Sequence, residues 1–173
     1  MSTVETVNKI SVQTSNGTAV SDTIAETSLG ALVFPANFWQ AEKVVEIEFQ
    51  THTTAQNSTD TLVVKGRFGA TATALASRTA VFSTTAVDQA VDDVCVGRVK
   101  LVCREDPSGT SSMLATANVT DSDASGTLSP KSYAVLATDF DTTVETRFDL
   151  SAVWSVASSG NSVRCEILDA REM

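Results

Sequence analysis

Thr143-Val-Glu-Thr-Arg-Phe-Asp-Leu-Ser-Ala-Val-Trp-Ser-Val156 runs into Ala157-Ser-Ser-Gly-Asn-Ser162 and then Val163-Arg-Cys-Glu-Ile-Leu-Asp169. In the first arm Val144, Phe148, Leu150, Ala152, Trp154 and Val156 fall on alternate places, with Glu145, Arg147, Asp149, Ser151 and Ser155 between them. A period of two marks a half-buried strand and does not fit a helix. Gly160 and Asn161 suit the left-handed backbone of a tight reversal, so the stretch predicts a hairpin. Val163, Cys165 and Ile167 of the return arm then face the core beside Trp154. One hairpin cannot cover its own apolar side, so the rest of the chain must supply a sheet to pack on it.

The same alternation recurs upstream. Val45, Ile47 and Phe49 oppose Glu46, Glu48 and Gln50, which predicts a strand over 42–54; after a polar turn Leu62, Val64 and Phe68 follow in phase, with Gly66 where a neighbour comes close. Between Val91 and Glu105, Cys95, Gly97, Val99, Leu101 and Cys103 share one face. Val94, Val96, Arg98, Lys100, Val102 and Arg104 share the other, a mixed face suited to contact with a neighbouring subunit, the interface expected on Val94, Val96, Arg98, Lys100 and Val102. Asp106-Pro-Ser-Gly109 turns the chain into a partner strand over 110–120, with Met113 or Leu114 and Val119 inward; 121–130 reads as loop and 132–137 as strand. Near the start, 9–14 reads as a short strand closed by Ser15-Asn-Gly17, and 23–32 as an irregular edge strand. Phe34, Phe38 and Trp39 are expected to cap the core, with Pro35 ending the strand before them. The stretch 69–80 is poor in signals, a short strand near 72–76 being one reading. The expected fold is all-β: a two-sheet antiparallel sandwich of jelly-roll type, with eight to ten strands and little helix. Residues 1–20 read as an N-terminal arm or first short strand, and 21–173 as the sandwich domain.

Charged residues make up 19% of the 173, and 12 basic against 21 acidic residues give a net charge of −9. That balance disfavours nucleic acid and anionic membranes as partners, since phosphate contacts need a basic surface. No run approaches the ~20 apolar residues of a spanning helix, and the N-terminal residues do not read as a signal peptide. Cys95, Cys103 and Cys165 read as reduced and buried, with one bridge plus one free thiol as the alternative.

Chemistry-bearing residues are sparse. His52 stands late in a strand with no Ser or Cys near it in sequence, and reads as a surface histidine. Asp92-Asp93 and Asp139 with Asp141 offer carboxylate pairs for acid–base work or calcium. Asp121-Ser-Asp123-Ala-Ser125-Gly126 matches the start of a calcium loop, but its twelfth position is Ser132 where a Glu is needed, and loop composition accounts for it. No glycine-rich phosphate cradle opens a helix, and no basic–aromatic interleaving appears. No cofactor is implied. The residues expected in the core are Phe34, Phe38, Trp39, Ile47, Phe49, Leu62, Val64, Val99, Leu101, Phe148, Leu150, Trp154, Val163, Cys165 and Ile167.

Thr27-Ser-Leu29 leading into Leu32-Val-Phe-Pro-Ala-Asn-Phe38, the strand pair 94–104 and 114–119, and Phe148-Asp-Leu150 through Val153-Trp-Ser155, 157–162 and Val163-Arg-Cys-Glu166 together resemble a family of structural domains from tailed-bacteriophage particles. The resemblance implies a jelly-roll-like sandwich assembled as a homotrimer on the outer surface of a virion and synthesised in the host cytoplasm. Its partners would be the major capsid protein or another virion protein, with neither nucleic acid nor membrane involved. A capsid decoration (cement) protein comes first among the roles, because the chain leaves no material for a shaft. A tail-fibre tip or spike domain binding a host glycan or receptor is the alternative, and a polysaccharide-degrading enzyme the second alternative. The family brings no catalytic residues to this chain, which departs from the pattern in its acidic balance and in Cys95 and Cys103.

Overall fold

In the computed structural model residues 8–12, 17–57 and 59–173 are described; residues 1–7 and the first two residues of the turn expected at 15–17 lie outside them. The described residues form twelve strands: β1 (Asn8–Val12), β2 (Val20–Ser21), β3 (Thr27–Phe34), β4 (Val44–Ala55), β5 (Thr61–Ala70), β6 (Thr79–Ser83), β7 (Val87–Asp88), β8 (Val94–Cys103), β9 (Ser111–Ser122), β10 (Leu128–Phe140), β11 (Thr146–Trp154) and β12 (Ser162–Glu172). Ten of these have five residues or more, and the one helical element among the described residues is a 3-10 turn, Leu75–Ser77. All the pairings are antiparallel. A seven-stranded sheet has the order β1-β12-β4-β8-β9-β10, with β2 also on β12. A five-stranded sheet has the order β3-β11-β5-β6, with β7 also on β5. Packed face to face, the two make a sandwich, and the chain passes back and forth between them as in a jelly roll.

The stretch 143–169 is not a hairpin. β11 pairs with β3 and β5 in one sheet, and β12 pairs with β4, β1 and β2 in the other. Gly160 and Asn161 carry no positive φ; among the described glycines that conformation occurs at Gly126. Residues 155–161 are a corner that carries the chain across the sandwich, so Phe148, Leu150 and Trp154 face β12 through the core rather than beside it. Val144 and Val156 fall outside β11 and are 38% and 46% exposed. The 42–68 stretch behaves the same way, with β4 and β5 in opposite sheets. The expected pair across 106–109 does form as the β8–β9 hairpin.

Strand limits differ in three places. The loop after β9 is confined to 123–127, because Asp121 and Ser122 continue β9 and Leu128 begins β10. β6 begins only at the end of the signal-poor stretch 69–80, and the strand expected near 72–76 is replaced by the 3-10 turn. β3 ends at Phe34, immediately before Pro35, and forms a sheet edge.

The core holds the expected residues with one correction. Ile167 is 44% exposed, whereas Leu168 and Ala170 are buried. The β12–β4 register shifts between Cys165 and Ile167, so the extra residue reverses which side chains face inward. Phe38 is half-buried against the core, with Lys43 Nζ 4.1 Å from its ring centroid. Phe34, Trp39, Phe68 and Phe140 close one end in a chain of ring contacts 4.7–6.3 Å between centroids, and Trp39 Nε1 donates to Thr146 Oγ1 at 2.8 Å. Gly97 leaves room for Phe49: a Cβ there would stand 2.6 Å from the Phe49 ring. Gly66 does the same for Phe82, the close approach expected of it.

Candidate functional site

The chemistry-bearing side chains fall into three groups and one open surface. The first group lies on the outer side of the five-stranded sheet. Glu26, just before β3, accepts hydrogen bonds from Arg67 Nε at 2.8 Å, Arg67 Nη2 at 2.9 Å, Lys65 Nζ at 3.1 Å and Ser151 Oγ at 2.9 Å. The Arg67 hydrogen bonds lead in holding its carboxyl down at about 2. Asp149, 1% exposed, accepts from Arg78, from Ser28 Oγ at 2.8 Å and from Arg147 Nη2 at 2.8 Å. Gly69 lets the Arg78 stem lie against the sheet. Two carboxylates and four cations thus cover an outer face that alternation alone would leave open to water. In such a network, removing one partner strands a buried charge.

The second group is the polar end of the interior. Thr53 Oγ1 donates to Gln89 Oε1 at 2.5 Å, and Gln89 Nε2 donates to Asp121 Oδ1 at 2.5 Å. Asp121 is 4% exposed, and its Oδ2 has no hydrogen-bond partner among the described residues. It borders a small cleft that Thr84, Ser129, Lys131 and Tyr133 also line. Burial is the main reason its carboxyl is pushed up to about 6; Asp93 adds to this, while the Gln89 hydrogen bond and Lys131 oppose it. Burial also raises the Cys95 thiol well above its ordinary value, with the Asp121 charge adding.

The third group surrounds His52. Its Nδ1 lies 3.1 Å from Glu166 Oε1 and its Nε2 3.0 Å from Asp92 Oδ1, and Arg164 Nε donates to the same Glu166 oxygen at 2.6 Å. Carboxylates therefore flank both ring nitrogens, an arrangement that does not present the imidazole to a nucleophile. The three cysteines are buried, and none forms a disulfide among the described residues. Burial pushes Cys165 up to about 12, and its thiol donates to the Ile167 carbonyl at 3.2 Å, so it is no ready thiolate.

The carboxylate pairs do not converge. Asp93 accepts from the Ala90 amide at 2.6 Å while Asp92 turns to His52, and Asp141 caps Thr143. In the loop matched to a calcium site, Asp123 Oδ1 accepts from Ser125 N, Ser125 Oγ and Thr127 N, whereas Asp121 points into the sandwich. Among the described residues no three His, Cys, Asp or Glu side chains are grouped to hold a metal ion.

The open surface is the outer face of the seven-stranded sheet. Val94, Val96, Arg98, Lys100 and Val102 all lie on it, and Val96 is 36% exposed. Cross-strand register continues their rows: Val102 stands beside Val44 and Leu114, and Leu114 beside Leu136. A shallow depression of about 410 Å³ lies across the middle, bordered by Val96, Arg98, Asn118, Pro130, Ser132 and Ile167. The β9 and β10 contributions to this face were not apparent as a surface from alternation alone. Their signal is the scarcity of charge after Pro107.

Comparison with protein families, with curated sequences and with solved structures finds no match to this chain.

Proposed function

We propose that this chain is a virion structural protein: a capsid decoration (cement) protein that binds the outer head surface as a homotrimer and stabilises the shell. The observation that carries this reading is the contrast between the side chains and the surface. The histidine, the thiols and the inward carboxylates are held by neighbouring side chains or by burial, while a broad sheet face remains open. A chain of that kind acts through contact area rather than turnover. Buried area across capsomer joints raises the free energy of opening a shell, and three linked copies multiply weak contacts. The major capsid protein, or another virion protein, is the partner in this reading.

The alternative of a fibre tip or spike domain calls for aromatic platforms exposed at the surface for a glycan. All seven Phe, both Trp and the single Tyr are buried or half-buried, which weighs against it. The enzyme alternative calls for two convergent carboxylates in a groove, and the depression on the open face is bordered by one acid, Glu48. The test is addition of purified protein to heads that lack it, followed by heating. Saturable binding with a higher rupture temperature is expected. Heads that take up no protein at micromolar concentration would end the proposal.

A further inference from the structure

We infer that copies of this chain associate with one another through the outer face of β4, β8, β9 and β10, at one end of the seven-stranded sheet, whose β9 and β10 part is uncharged over 112–120 and 128–136. The inference rests on the self-association of the reading above and assigns the surface on which two copies meet. Three observations carry it.

The first is charge. Every outward residue of β9 from Ser112 to Thr120, and of β10 from Leu128 to Leu136, is uncharged. The two cations on β8 are balanced from β4: Arg98 Nη2 lies 3.2 Å from Glu48 Oε1, and Lys100 stands opposite Glu46. In a chain of net charge −9, this patch is therefore where two copies repel each other least. A basic partner would be better served by an acidic face and a nucleic acid by a basic one. Neutral against neutral is the match that a second copy supplies.

The second is apolar content. Leu128 and Leu136 are 64% and 58% exposed, and Leu136 ends the in-register row Val44, Val102, Leu114. Over 112–120 and 128–136 no outward residue of β9 or β10 is charged, so this row reaches the sheet edge through apolar side chains. The outer face of the five-stranded sheet differs, because Arg78, Arg147, Asp149 and Glu26 already cover it.

The third is size and position. Four strands from β4 to β10, spaced ~4.8 Å apart and about 27 Å long, give on the order of 500 Å² per copy. A pair would bury about 1,000 Å², the lower limit for a specific interface. β10 is also the last strand of its sheet, and an edge of 13 residues is a liability in solution unless covered.

The test is the solution mass of the full chain by size-exclusion chromatography with light scattering across micromolar concentrations. Thr116→Lys/Leu136→Lys places two cations on the patch without touching the core, and Val156→Lys is a control on the 155–161 corner. Ser132→Lys is a second patch variant in case the double variant loses its sheet signal by circular dichroism. The wild type and the control should be multimeric, and the patch variants should dissociate with an affinity about 100-fold weaker, the like-charge effect expected at an interface. A multimeric wild type whose folded patch variants stay multimeric would overturn the surface and leave the trimer standing. A wild type monomeric up to about 100 μM would overturn both, while head binding would still judge the decoration role separately.

Discussion

Asp121 gives the sharpest test of the interior. Its carboxyl is pushed from an ordinary 3.8 up to about 6, chiefly by burial. A group raised in this way supports folding while it is protonated. That support is complete below the ordinary value, declines as pH rises and is gone once pH passes the folded value. At ~1.4 kcal/mol per pH unit, the gap from 3.8 to about 6 is worth about 3 kcal/mol. Asp121→Asn removes the titration and keeps an oxygen to accept from Gln89. The variant should therefore be more stable than wild type by about 3 kcal/mol above pH 7 and nearly equal to it at pH 4. Urea unfolding followed by fluorescence suits the measurement, because Trp39 and Trp154 are both buried. Protein concentration must stay fixed across the pH series, since association adds to apparent stability. A constant uniform loss from the amide would shift both pH values together, so the diagnostic quantity is the change in the difference between them. A difference that does not vary with pH would refute the account of Asp121.

Glu26 runs in the opposite direction. Its carboxyl is held at about 2 against an ordinary 4.5, so its support is complete above 4.5 and is lost as pH falls through about 2. Glu26→Gln should cost about 3 kcal/mol near pH 7, and the deficit against wild type should close by pH 2. The bulge in β12 predicts that Leu168→Ala costs about 2–5 kcal/mol while Ile167→Ala costs under about 1 kcal/mol. Equal losses in thermal unfolding would place the register elsewhere. Gly97→Ala puts a methyl group 2.6 Å from the Phe49 ring and 2.9 Å from the Asn118 carbonyl oxygen; a loss of about 1–3 kcal/mol is expected, and wild-type stability would show that Phe49 has room to move.

Alternation shows which side chains point inward but not which strand lies alongside. Val45, Ile47 and Phe49 are buried as read, as are Cys95, Val99, Leu101 and Cys103. The same period of two holds whether the next strand pairs beside its predecessor or crosses to the facing sheet. That is why 143–169 reads as a hairpin and folds as a corner. The bulge after Cys165 is hidden for a related reason: Ile167 and Leu168 are adjacent and both apolar, and only the partner strand decides which one is inside. The buried charges are hidden by distance. Glu26, Arg67, Arg78 and Asp149 come from four separate parts of the chain, two of them strands and two connecting segments, and Asp149 reads as an exposed alternate residue until Arg78 and Arg147 are seen across it.

The candidate surface was more legible than these. From Pro107 to Thr138 the only charged residues are Asp121, Asp123 and Lys131, in a chain that is 19% charged overall. A stretch so poor in charge belongs either to a core strand buried on both sides or to a strand with one side against another protein. Sequence cannot separate the two, because small residues such as Ala115, Thr116, Ala117 and Asn118 fit either setting. The fold separates them: Ala115 and Ala117 face the core, while Thr116 and Asn118 face outward over the same strand. Half of the uncharged residues therefore lie on a surface where solvent alone gives no reason to exclude charge. A partner surface would give one, because a lone charge buried there without a counter-ion costs several kcal/mol.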